Sequence, residues 1–300
     1  MNRRDCLLQL NALGVLSFTP YGMRIEENAL KRAIPSTGEK LTVVGVGTWQ
    51  TFDVGASDVA RQPLKEVLKT LISKGGSVID SSPMYGRSEE VVGDLSNELN
   101  LNDQLFVATK VWTNGRENGI RQINESFRRM RRKKIELMQI HNLTDWQTHL
   151  KTLRSWKEEG KIRYLGLTHY TGSAHEKLAS ILSEEPVDFI QINYNILDRN
   201  AGKRLLPYAR EKNVAVIINQ PFESGSLFRH VRGKQLPGWA KEFDCHSWAQ
   251  FFLKFILSDP AVTCVIPGTD NPEHMLDNMG AAFGKLPSEK QRAEMVRVIG

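Results

Sequence analysis

The sequence predicts an α/β fold in which eight parallel strands, each followed by a helix, form one closed (β/α)8 barrel in a single domain. Short and almost wholly apolar runs, typical of parallel strands buried on both faces, alternate with longer segments of helical periodicity. The chain has 300 residues, and a barrel of this kind needs about 250. An open doubly wound sheet is the alternative, and the absence of a GxGxxG turn after the first strand disfavours it.

The N-terminal segment, residues 1–33, is set apart from the predicted barrel, which we assign to residues 34–300. Asn2–Leu8 contains paired arginines, and an apolar stretch, Leu7–Phe18, follows. This pattern resembles a twin-arginine export signal, although a small-residue cleavage site is not evident. An ordinary basic N-terminus is the alternative. The localisation therefore stays open between the cytoplasm and, with a functional signal, the periplasm.

The predicted strands follow one another at regular intervals along the chain. The first, Leu41–Thr48, comes after short segments around Gly38 that we expect to form a hairpin across one mouth of the barrel. No linker or shift in composition interrupts the series. The other strands are predicted over Ser77–Ser82, Leu105–Val111, Ile135–Asn142, Tyr164–His169, Asp188–Tyr194, Val214–Gln220 and Thr263–Pro267.

A helix is predicted after each strand, from apolar residues spaced three or four positions apart. Gly160 ends the fourth of these helices, and a longer insertion, Pro221–Cys245, precedes the seventh. The predicted helices are Asp58–Ser73, a helix from about Ser88, Glu117–Arg131, Asp145–Glu159, Ser173–Ser183, Lys203–Lys212, His246–Leu257 and Pro272–Phe283.

Composition and charge argue against several classes of function. The net charge of +6 suits an anionic ligand or a phosphorylated cofactor, but no nucleic-acid motif accompanies it. We interpret the basic run Arg128–Lys134 as a solvated helix end, with a phosphate or nucleic-acid patch as the alternative. No apolar run approaches the roughly 20 residues of a membrane span. Cys6, Cys245 and Cys264 have no metal-ligand spacing, so we expect neither a metal site nor a disulfide framework.

Four chemically active side chains lie at the ends of three consecutive predicted strands or just after them. Asp80, Lys110 and His141 lie near the ends of apolar runs, and Tyr85 lies in the loop after the first of these runs. In a parallel barrel the C-terminal ends of the strands meet at the face that carries active sites. We therefore expect the four side chains to converge there. For the Asp80 and Lys110 pair alone, a structural ion pair is the alternative.

This set of side chains can deliver a proton to a carbonyl oxygen. A tyrosine in water, with a pKa of about 10, holds its proton too tightly to be an ideal acid near neutrality. We expect the Lys110 ammonium to lower the pKa of Tyr85 and Asp80 to hold Lys110 charged. His141 can bind the substrate oxygen and orient it. Tyr85 is then the general acid that protonates the oxygen as hydride arrives at carbon.

Several segments, in order from about residue 34 to 283, resemble the aldo-keto reductase family, in the style of its bacterial members. The resemblance implies a TIM barrel, an extended nicotinamide cofactor and metal-free reduction of aldehydes or ketones. The segments are GVGTW (Gly45–Trp49), IDSSPMYG (Ile79–Gly86), ATKVW (Ala108–Trp112), QIHN (Gln139–Asn142), GKIRYLGLTHY (Gly160–Tyr170), IQINYN (Ile190–Asn195) and VIPGTDNPEHMLDN (Val265–Asn278).

Position by position, the resemblance implies that Asp80, Tyr85, Lys110 and His141 form the family's catalytic tetrad. It also implies that Trp49 and Trp112 wall the substrate pocket. The implied cofactor contacts are Gly47 and Thr48 after the first strand, Thr168, His169 and Gln191 at the nicotinamide carboxamide, Phe222 on the nicotinamide ring, Ser224 and Leu227 over the pyrophosphate, and Gly268, Thr269, His274, Asp277 and Asn278 at the adenosine end.

The sequence departs from the family pattern at the adenosine end. Many members bind the cofactor's 2′-phosphate with a Lys and an Arg, and here Gly268 and His274 occupy those places. A planar arginine is the stronger phosphate partner. We expect NADPH on family grounds, with NADH as the alternative. Little chain follows the last predicted barrel helix, so we expect an open pocket, one side of which the insertion Pro221–Cys245 is placed to cover.

Three functions remain in competition at this point. The first is a carbonyl reductase that acts on a small-molecule aldehyde or ketone. The second is a non-catalytic regulatory barrel that binds a nicotinamide cofactor. The third is a barrel isomerase or aldolase, in which Lys110 would attack a carbonyl as a Schiff base. In each case we expect a monomer, because no long amphipathic extension is left over.

Overall fold

The computed structural model describes residues 28–300, so the predicted export signal lies outside the described residues. Eight parallel strands stand side by side in chain order, and a two-stranded antiparallel hairpin precedes them. The hairpin strands are β1 (Lys31–Ala33) and β2 (Lys40–Thr42), and the parallel strands are β3 (Val46–Gly47), β4 (Val78–Asp80), β5 (Phe106–Val111), β6 (Ile135–His141), β7 (Ile162–His169), β8 (Phe189–Asn193), β9 (Ala215–Asn219) and β10 (Val262–Val265).

The sheet closes on itself where its first and last strands meet. Parallel bridges join Val44 to Val265 and Gly47 to Gly268. The Gly45 amide also donates to the Val265 carbonyl over 2.9 Å. Together with the ordered ladder from β3 to β10, these contacts remove the edges of the sheet, as barrel closure requires. The predicted (β/α)8 barrel is therefore confirmed.

Helices surround the barrel and connect its strands. Short 3₁₀ turns over Gly172–Ala174 and Gly238–Phe243 add to them. The helices are α1 (Asp58–Ser73), α2 (Ser88–Glu98), α3 (Arg116–Arg129), α4 (Trp146–Glu158), α5 (His175–Glu184), α6 (Asn200–Lys203), α7 (Leu205–Glu211), α8 (Ser226–His230), α9 (Trp248–Leu257), α10 (Pro272–Gly280) and α11 (Glu289–Ile299).

The first barrel strand is shorter than predicted. The apolar run from Leu41 to Thr48 is divided, because Leu41 pairs with Arg32 in the hairpin while β3 pairs with β4. Gly45 lies between the two parts, where an added Cβ would come within 2.6 Å of the Val78 carbonyl oxygen. One continuous apolar run is therefore shared between the hairpin and the barrel sheet. Periodicity alone does not show where the first strand ends and the second begins.

The helical layer departs from the prediction in several places, among them α8, which lies in the predicted insertion Pro221–Cys245. The predicted helix Lys203–Lys212 is broken at Arg204, whose φ of −142° and ψ of −53° separate α6 from α7. The C-terminal helix α11 was not predicted. Its start carries a capping box, in which Ser288 and Gln291 satisfy each other's backbone amides.

The core has two parts, one inside the barrel and one between the barrel and its helices. The inner part is closed at the N-terminal mouth by Ile34 and Leu41 of the predicted hairpin. Above them, the rings of Phe106, Tyr164 and Phe189 pack against one another. Because this layer fills the lower barrel, a ligand can reach the barrel only from the C-terminal mouth.

Candidate active site

Strand alternation carries polar side chains to the C-terminal mouth. On β6 the inward positions are Leu137, Gln139 and His141, and on β8 they are Phe189 and Gln191. The lower residue on each strand belongs to the inner core, and the residues above it are buried and polar. Because side chains alternate between the two faces of each strand, the inward positions form layers inside the barrel, and here a polar layer lies above an apolar one.

Asp80 and Lys110 form the centre of the polar layer. Lys110 Nζ lies 2.6 Å from Asp80 Oδ2 and 2.7 Å from the Ser81 carbonyl oxygen. The Lys110 ammonium also lies close enough to Tyr85 for each group to shift the pKa of the other. Lys110 is completely buried. Burial lowers the pKa of Lys110, but the Asp80 carboxylate and the Tyr85 hydroxyl outweigh it and raise the pKa overall.

The second carboxylate oxygen of Asp80 is held by two amides. Gln139 Nε2 donates to Asp80 Oδ1 over 3.0 Å, and Gln191 Nε2 donates to the same atom over 2.8 Å. The Gln191 side-chain oxygen accepts from Thr168 Oγ1 over 3.2 Å. Of the residues implied to hold the nicotinamide carboxamide, Gln191 is therefore linked directly to Asp80, and Thr168 is linked to it through Gln191.

Tyr85 is half-buried beside Lys110, with the ammonium 5.0 Å from the centre of its ring. Burial raises the pKa of Tyr85, and Asp80 adds to the rise, while Lys110 lowers it. The net direction is upward, so the predicted lowering was wrong as a net effect. The sequence shows the neighbouring cation but not the desolvation that outweighs it. Tyr85 therefore keeps its proton, as a general acid must.

His141 completes the group at the mouth. Its ring meets the Tyr85 ring edge to face at 5.9 Å and lies 6.3 Å from the Trp112 ring. Its Nδ1 lies 3.0 Å from Ser82 Oγ. Burial, with Lys110 and His169 nearby, lowers the pKa of His141 from 6.5 to about 3. The ring is therefore neutral near pH 7, able to donate one hydrogen bond and accept another.

We expect the His141 ring to stay neutral from about pH 8 down to about pH 4. The folded pKa of His141 is about 3 and its ordinary value is 6.5. Between these two values the imidazole binds more protons in the unfolded chain than in the folded protein. The free energy of unfolding should consequently fall as the pH drops from 6.5 towards 3. NMR titration of the histidine ring signals would check this. A His141 titration midpoint above about pH 5 would contradict it.

The other nicotinamide-end residues lie around the same mouth. His169 is half-buried, and its Nδ1 accepts from the Thr171 amide over 3.2 Å. Its ring stacks on Tyr170 at 5.6 Å. Phe222 is half-buried and packs against Phe228 and Phe252. Each keeps part of its surface open towards solvent.

The loop after β9 has an unusual backbone. Gln220, Glu223 and Ser224 adopt left-handed conformations, and Gly225 follows with a φ of +85°. Such a run turns the chain sharply and concentrates backbone amides over a short distance. Ser224 is exposed in this loop. Leu227 is buried in the outer core, so its side chain is not open to a ligand.

The adenosine-end residues follow β10 and enter α10. Gly268 is exposed, Thr269 accepts from the Asn271 amide, and His274 is exposed on the first turn of α10. Asn278 is buried. Asp277 is bonded to Gln250 Nε2 over 2.7 Å, so in this structure its carboxylate is directed into the protein. The structure therefore leaves Gly268 and His274 as the accessible part of the implied site, whereas Thr269 is buried.

Residues around the opening of the first strand join this region to the active site. Gly47 lies beside Gly268, to which it is bridged. Thr48 is buried, and its Oγ1 donates to Ser81 Oγ over 2.9 Å. Trp49 and Trp112, predicted to wall the substrate pocket, are 48% and 43% exposed. Their exposure leaves both indole rings available to a ligand.

Sequence reasoning missed two side chains that complete this site and one buried carboxyl group that interacts with Lys110. Gln139 holds Asp80, Ser82 contacts His141, and Glu89 is buried with its Oε1 accepting from Thr109 over 2.6 Å. Burial raises the pKa of Glu89. The signal for Gln139 was available, because a glutamine two positions before His141 in an apolar strand must face the barrel interior. No comparable signal identified the partner of Ser82.

The basic run Arg128–Lys134 is largely paired with neighbouring groups. Arg128 and Arg129 contact Glu125, and Arg131 contacts Asp94 over 2.5 Å. These pairs agree with the interpretation of a solvated helix end. Within residues 28–300, no group of three or more His, Cys, Asp or Glu is placed to hold a metal ion. None of the helices described there is long and apolar enough to cross a membrane.

Comparison with known proteins identifies the family. A family model described as the aldo/keto reductase family matches residues 43–295. The chain belongs to the aldo/keto reductase family. This confirms the family predicted from the motifs, and it supports carbonyl reduction with a nicotinamide cofactor in general terms.

Individual aldo/keto reductases are similar over most of the barrel. The chain is 26% identical to an aldo-keto reductase of Bacillus subtilis, over 71% of this chain and 66% of that protein. It is 28% identical to the NADH-specific methylglyoxal reductase of Escherichia coli, over 70% and 73% of the two chains. A solved aldo/keto reductase of Klebsiella pneumoniae, in complex with NADP and acetate, is 22% identical with a TM-score of 0.72, covering 91% of this chain and 95% of that chain. At that identity the structural likeness shows the fold.

Proposed function

We propose that this protein reduces the carbonyl group of an aldehyde or ketone to an alcohol, with NADPH as its cofactor and Tyr85 as the general acid. The observation that carries the proposal is the placement of Lys110. It is completely buried, donates to Asp80 Oδ2 over 2.6 Å and lies 5.0 Å from the centre of the Tyr85 ring, beside a neutral His141. A buried ammonium against a protonated phenol at a barrel mouth is an arrangement for proton delivery.

Each of these side chains has one task in the proposed reaction. Bound nicotinamide supplies the hydride. Tyr85 donates its proton to the carbonyl oxygen, and the Lys110 ammonium stabilises the phenolate that is left. Asp80, held by Gln139 and Gln191, keeps Lys110 charged in a dry environment. His141 donates a hydrogen bond that orients the carbonyl oxygen.

The residues present fit a nicotinamide cofactor. Asn219 Oδ1 is buried at the end of β9 and has no hydrogen-bond partner among the described residues, which suits the amide of a carboxamide group. The relatives in complex with NADP support NADPH. The NADH-specific relative shows the alternative within the family.

An aldolase or isomerase that uses Lys110 as a Schiff-base nucleophile is disfavoured by the same geometry. An amine attacks a carbonyl only when it is deprotonated and reachable. Lys110 has no exposed surface, and its ammonium donates to Asp80 Oδ2 and to the Ser81 carbonyl oxygen. Its raised pKa keeps it protonated.

The rim of the mouth indicates an apolar or aromatic substrate. Eight large apolar side chains are exposed in the described part of the chain, and six of them follow the C-terminal ends of barrel strands. Exposed apolar groups gathered at one opening are typical of a binding site. The six are Trp49, Met84, Trp112, Tyr170, Leu197 and Phe228.

We expect aromatic aldehydes to be reduced with a kcat/KM about 2–13-fold above that of small polar aldehydes, because an aromatic pair contributes about 0.5–1.5 kcal/mol beyond its buried area. Trp112→Ala should remove most of this preference. Val59→Ala, at an exposed site on α1, is the matched control and should not. Initial rates with paired substrates measure the effect. Equal kcat/KM values for both classes would contradict it.

Fluorescence titration with NADPH and NADH, followed by oxidation of bound cofactor by an aromatic aldehyde, tests the proposed function itself. Binding with turnover supports a reductase. Tight binding without turnover of any carbonyl would favour the regulatory barrel. A large preference for NADH would overturn the choice of NADPH. That preference would be attributed to Gly268 and His274, which offer no permanent cation to a 2′-phosphate.

A further inference from the structure

We infer that Ser82 is a positioning residue that fixes the tautomer of His141, so that its single ring proton stays on Nε2, available to the substrate. The inference deepens the proposed function and rests on it for its kinetic consequence. Its structural content concerns only Ser82, Met84 and His141, and it can be measured without any substrate.

The Ser82 hydroxyl is enclosed between two neighbours. Its side chain is completely buried. Oγ lies 3.0 Å from His141 Nδ1 and accepts a hydrogen bond from the Met84 amide over 3.4 Å. Within residues 28–300, Ser82 Oγ forms no hydrogen bond other than these two. A serine hydroxyl has one hydrogen to donate and two lone pairs that accept.

The two neighbours decide which way the hydroxyl is oriented. If His141 Nδ1 carried the proton, Ser82 would receive hydrogens from both sides, and its own hydrogen would have no acceptor. A buried donor without a partner costs roughly 1–3 kcal/mol. If Nδ1 is unprotonated, Ser82 accepts from Met84 and donates to Nδ1, and every group is satisfied. The lower-energy arrangement therefore places the imidazole proton on Nε2.

The surroundings of His141 leave Nε2 for a ligand. None of residues 28–300 forms a hydrogen bond with this atom, while the ring is flanked by Tyr85 and Trp112. The depressed pKa of His141 independently removes the doubly protonated ring, so the choice is between two neutral tautomers. With Nε2–H the ring donates to a carbonyl oxygen, and with the other tautomer it presents a lone pair that repels one.

Ser82 lies between Asp80 and Tyr85 on one short segment. The same six residues therefore supply the carboxylate that holds Lys110, the hydroxyl that orients His141, and the acid. A shift in this segment moves all three together. The tautomer of His141, on β6, is thus tied to the placement of Tyr85 by the hydrogen bond from Ser82.

The first experiment is NMR of the protein labelled with ¹⁵N-histidine, recorded near pH 7. We expect the His141 signals of the unmodified protein to show a protonated Nε2 and an unprotonated Nδ1. In Ser82→Ala we expect a mixture of tautomers, and in Ser82→Thr, which keeps the hydroxyl, the original pattern. A protonated Nδ1 in the unmodified protein, or an unchanged pattern in Ser82→Ala, overturns the inference.

Kinetics give the second readout. Ser82→Ala should lower kcat by about 10–100-fold, by analogy with the loss of an outer partner that orients a metal-ligating histidine, and leave NADPH affinity unchanged. Ser82→Thr should restore much of the rate. The matched control is Ser96→Ala, because Ser96 is equally buried but bonds only to the Gly93 carbonyl on α2. An equal loss in Ser96→Ala would assign the effect to stability and overturn the positioning role.

The two ideas can fail separately. If the unmodified protein reduces no carbonyl compound, the proposed function falls, yet the NMR pattern still tests the tautomer. If turnover is normal and Ser82→Ala changes neither tautomer nor kcat, the reductase assignment stands and the role of Ser82 falls.

Discussion

Replacing Tyr85 with Phe is expected to lower kcat by about 10²–10⁴-fold, the usual contribution of a positioned general acid, while the affinity for NADPH stays the same. The substitution removes only the hydroxyl, so the ring keeps its contact with His141 at 5.9 Å. Without that proton, charge builds up on the carbonyl oxygen as hydride arrives. Steady-state kinetics and a cofactor titration on the same preparation measure the two effects.

Tyr208→Phe is the matched control for this experiment. Tyr208 is a half-buried tyrosine on α7 with the Lys212 ammonium 5.4 Å from its ring, much as Lys110 lies 5.0 Å from Tyr85. The control should leave kcat unchanged, because α7 contributes nothing to the mouth residues. A Tyr85→Phe protein with nearly full kcat would remove Tyr85 as the acid.

Replacing Lys110 with Met should produce the largest loss of stability, about 3–5 kcal/mol in the free energy of unfolding. Lys110 and Asp80 are both buried, 2.6 Å apart. Methionine matches the length of the side chain but leaves the carboxylate with only the amides of Gln139 and Gln191. Urea unfolding followed by tryptophan fluorescence and circular dichroism would measure the change.

Two further variants test whether the loss of stability comes from the buried charge. The double variant Asp80→Asn, Lys110→Met should recover part of the loss, because no unpaired charge remains buried. Glu294→Gln breaks an exposed pair with Arg297 on α11 and should leave the unfolding free energy nearly unchanged. A loss below about 1 kcal/mol for Lys110→Met would show that the pair is not held as a buried charge pair.

Some elements could be predicted closely from the sequence, and others could not. The helix predicted over Asp58–Ser73 has those bounds in the structure, and β6 begins at Ile135 as predicted. Both signals are local: apolar spacing in the helix and a bounded apolar run in the strand. The first barrel strand failed because Leu41 belongs to the hairpin. Helix α11 was not predicted, although Ser288 and Gln291 have the spacing of a capping box at its start.

The sequence alone determined the family, the barrel and which residues could meet at its mouth. Alternation with a period of two carries Asp80, Lys110 and His141 inward at strand ends, and this follows from local geometry. Their catalytic and cofactor roles stay predictions that the experiments above address.

Only the tertiary structure decided how those side chains are satisfied. It placed the amides of Gln139 and Gln191 on Asp80, 59 and 111 positions away in the chain, and it directed Asp277 to Gln250. It also reversed the net direction of the Tyr85 pKa and supplied Ser82 as the partner of His141. Desolvation and hydrogen-bond partners depend on residues distant in the chain, whereas strand alternation depends on neighbours.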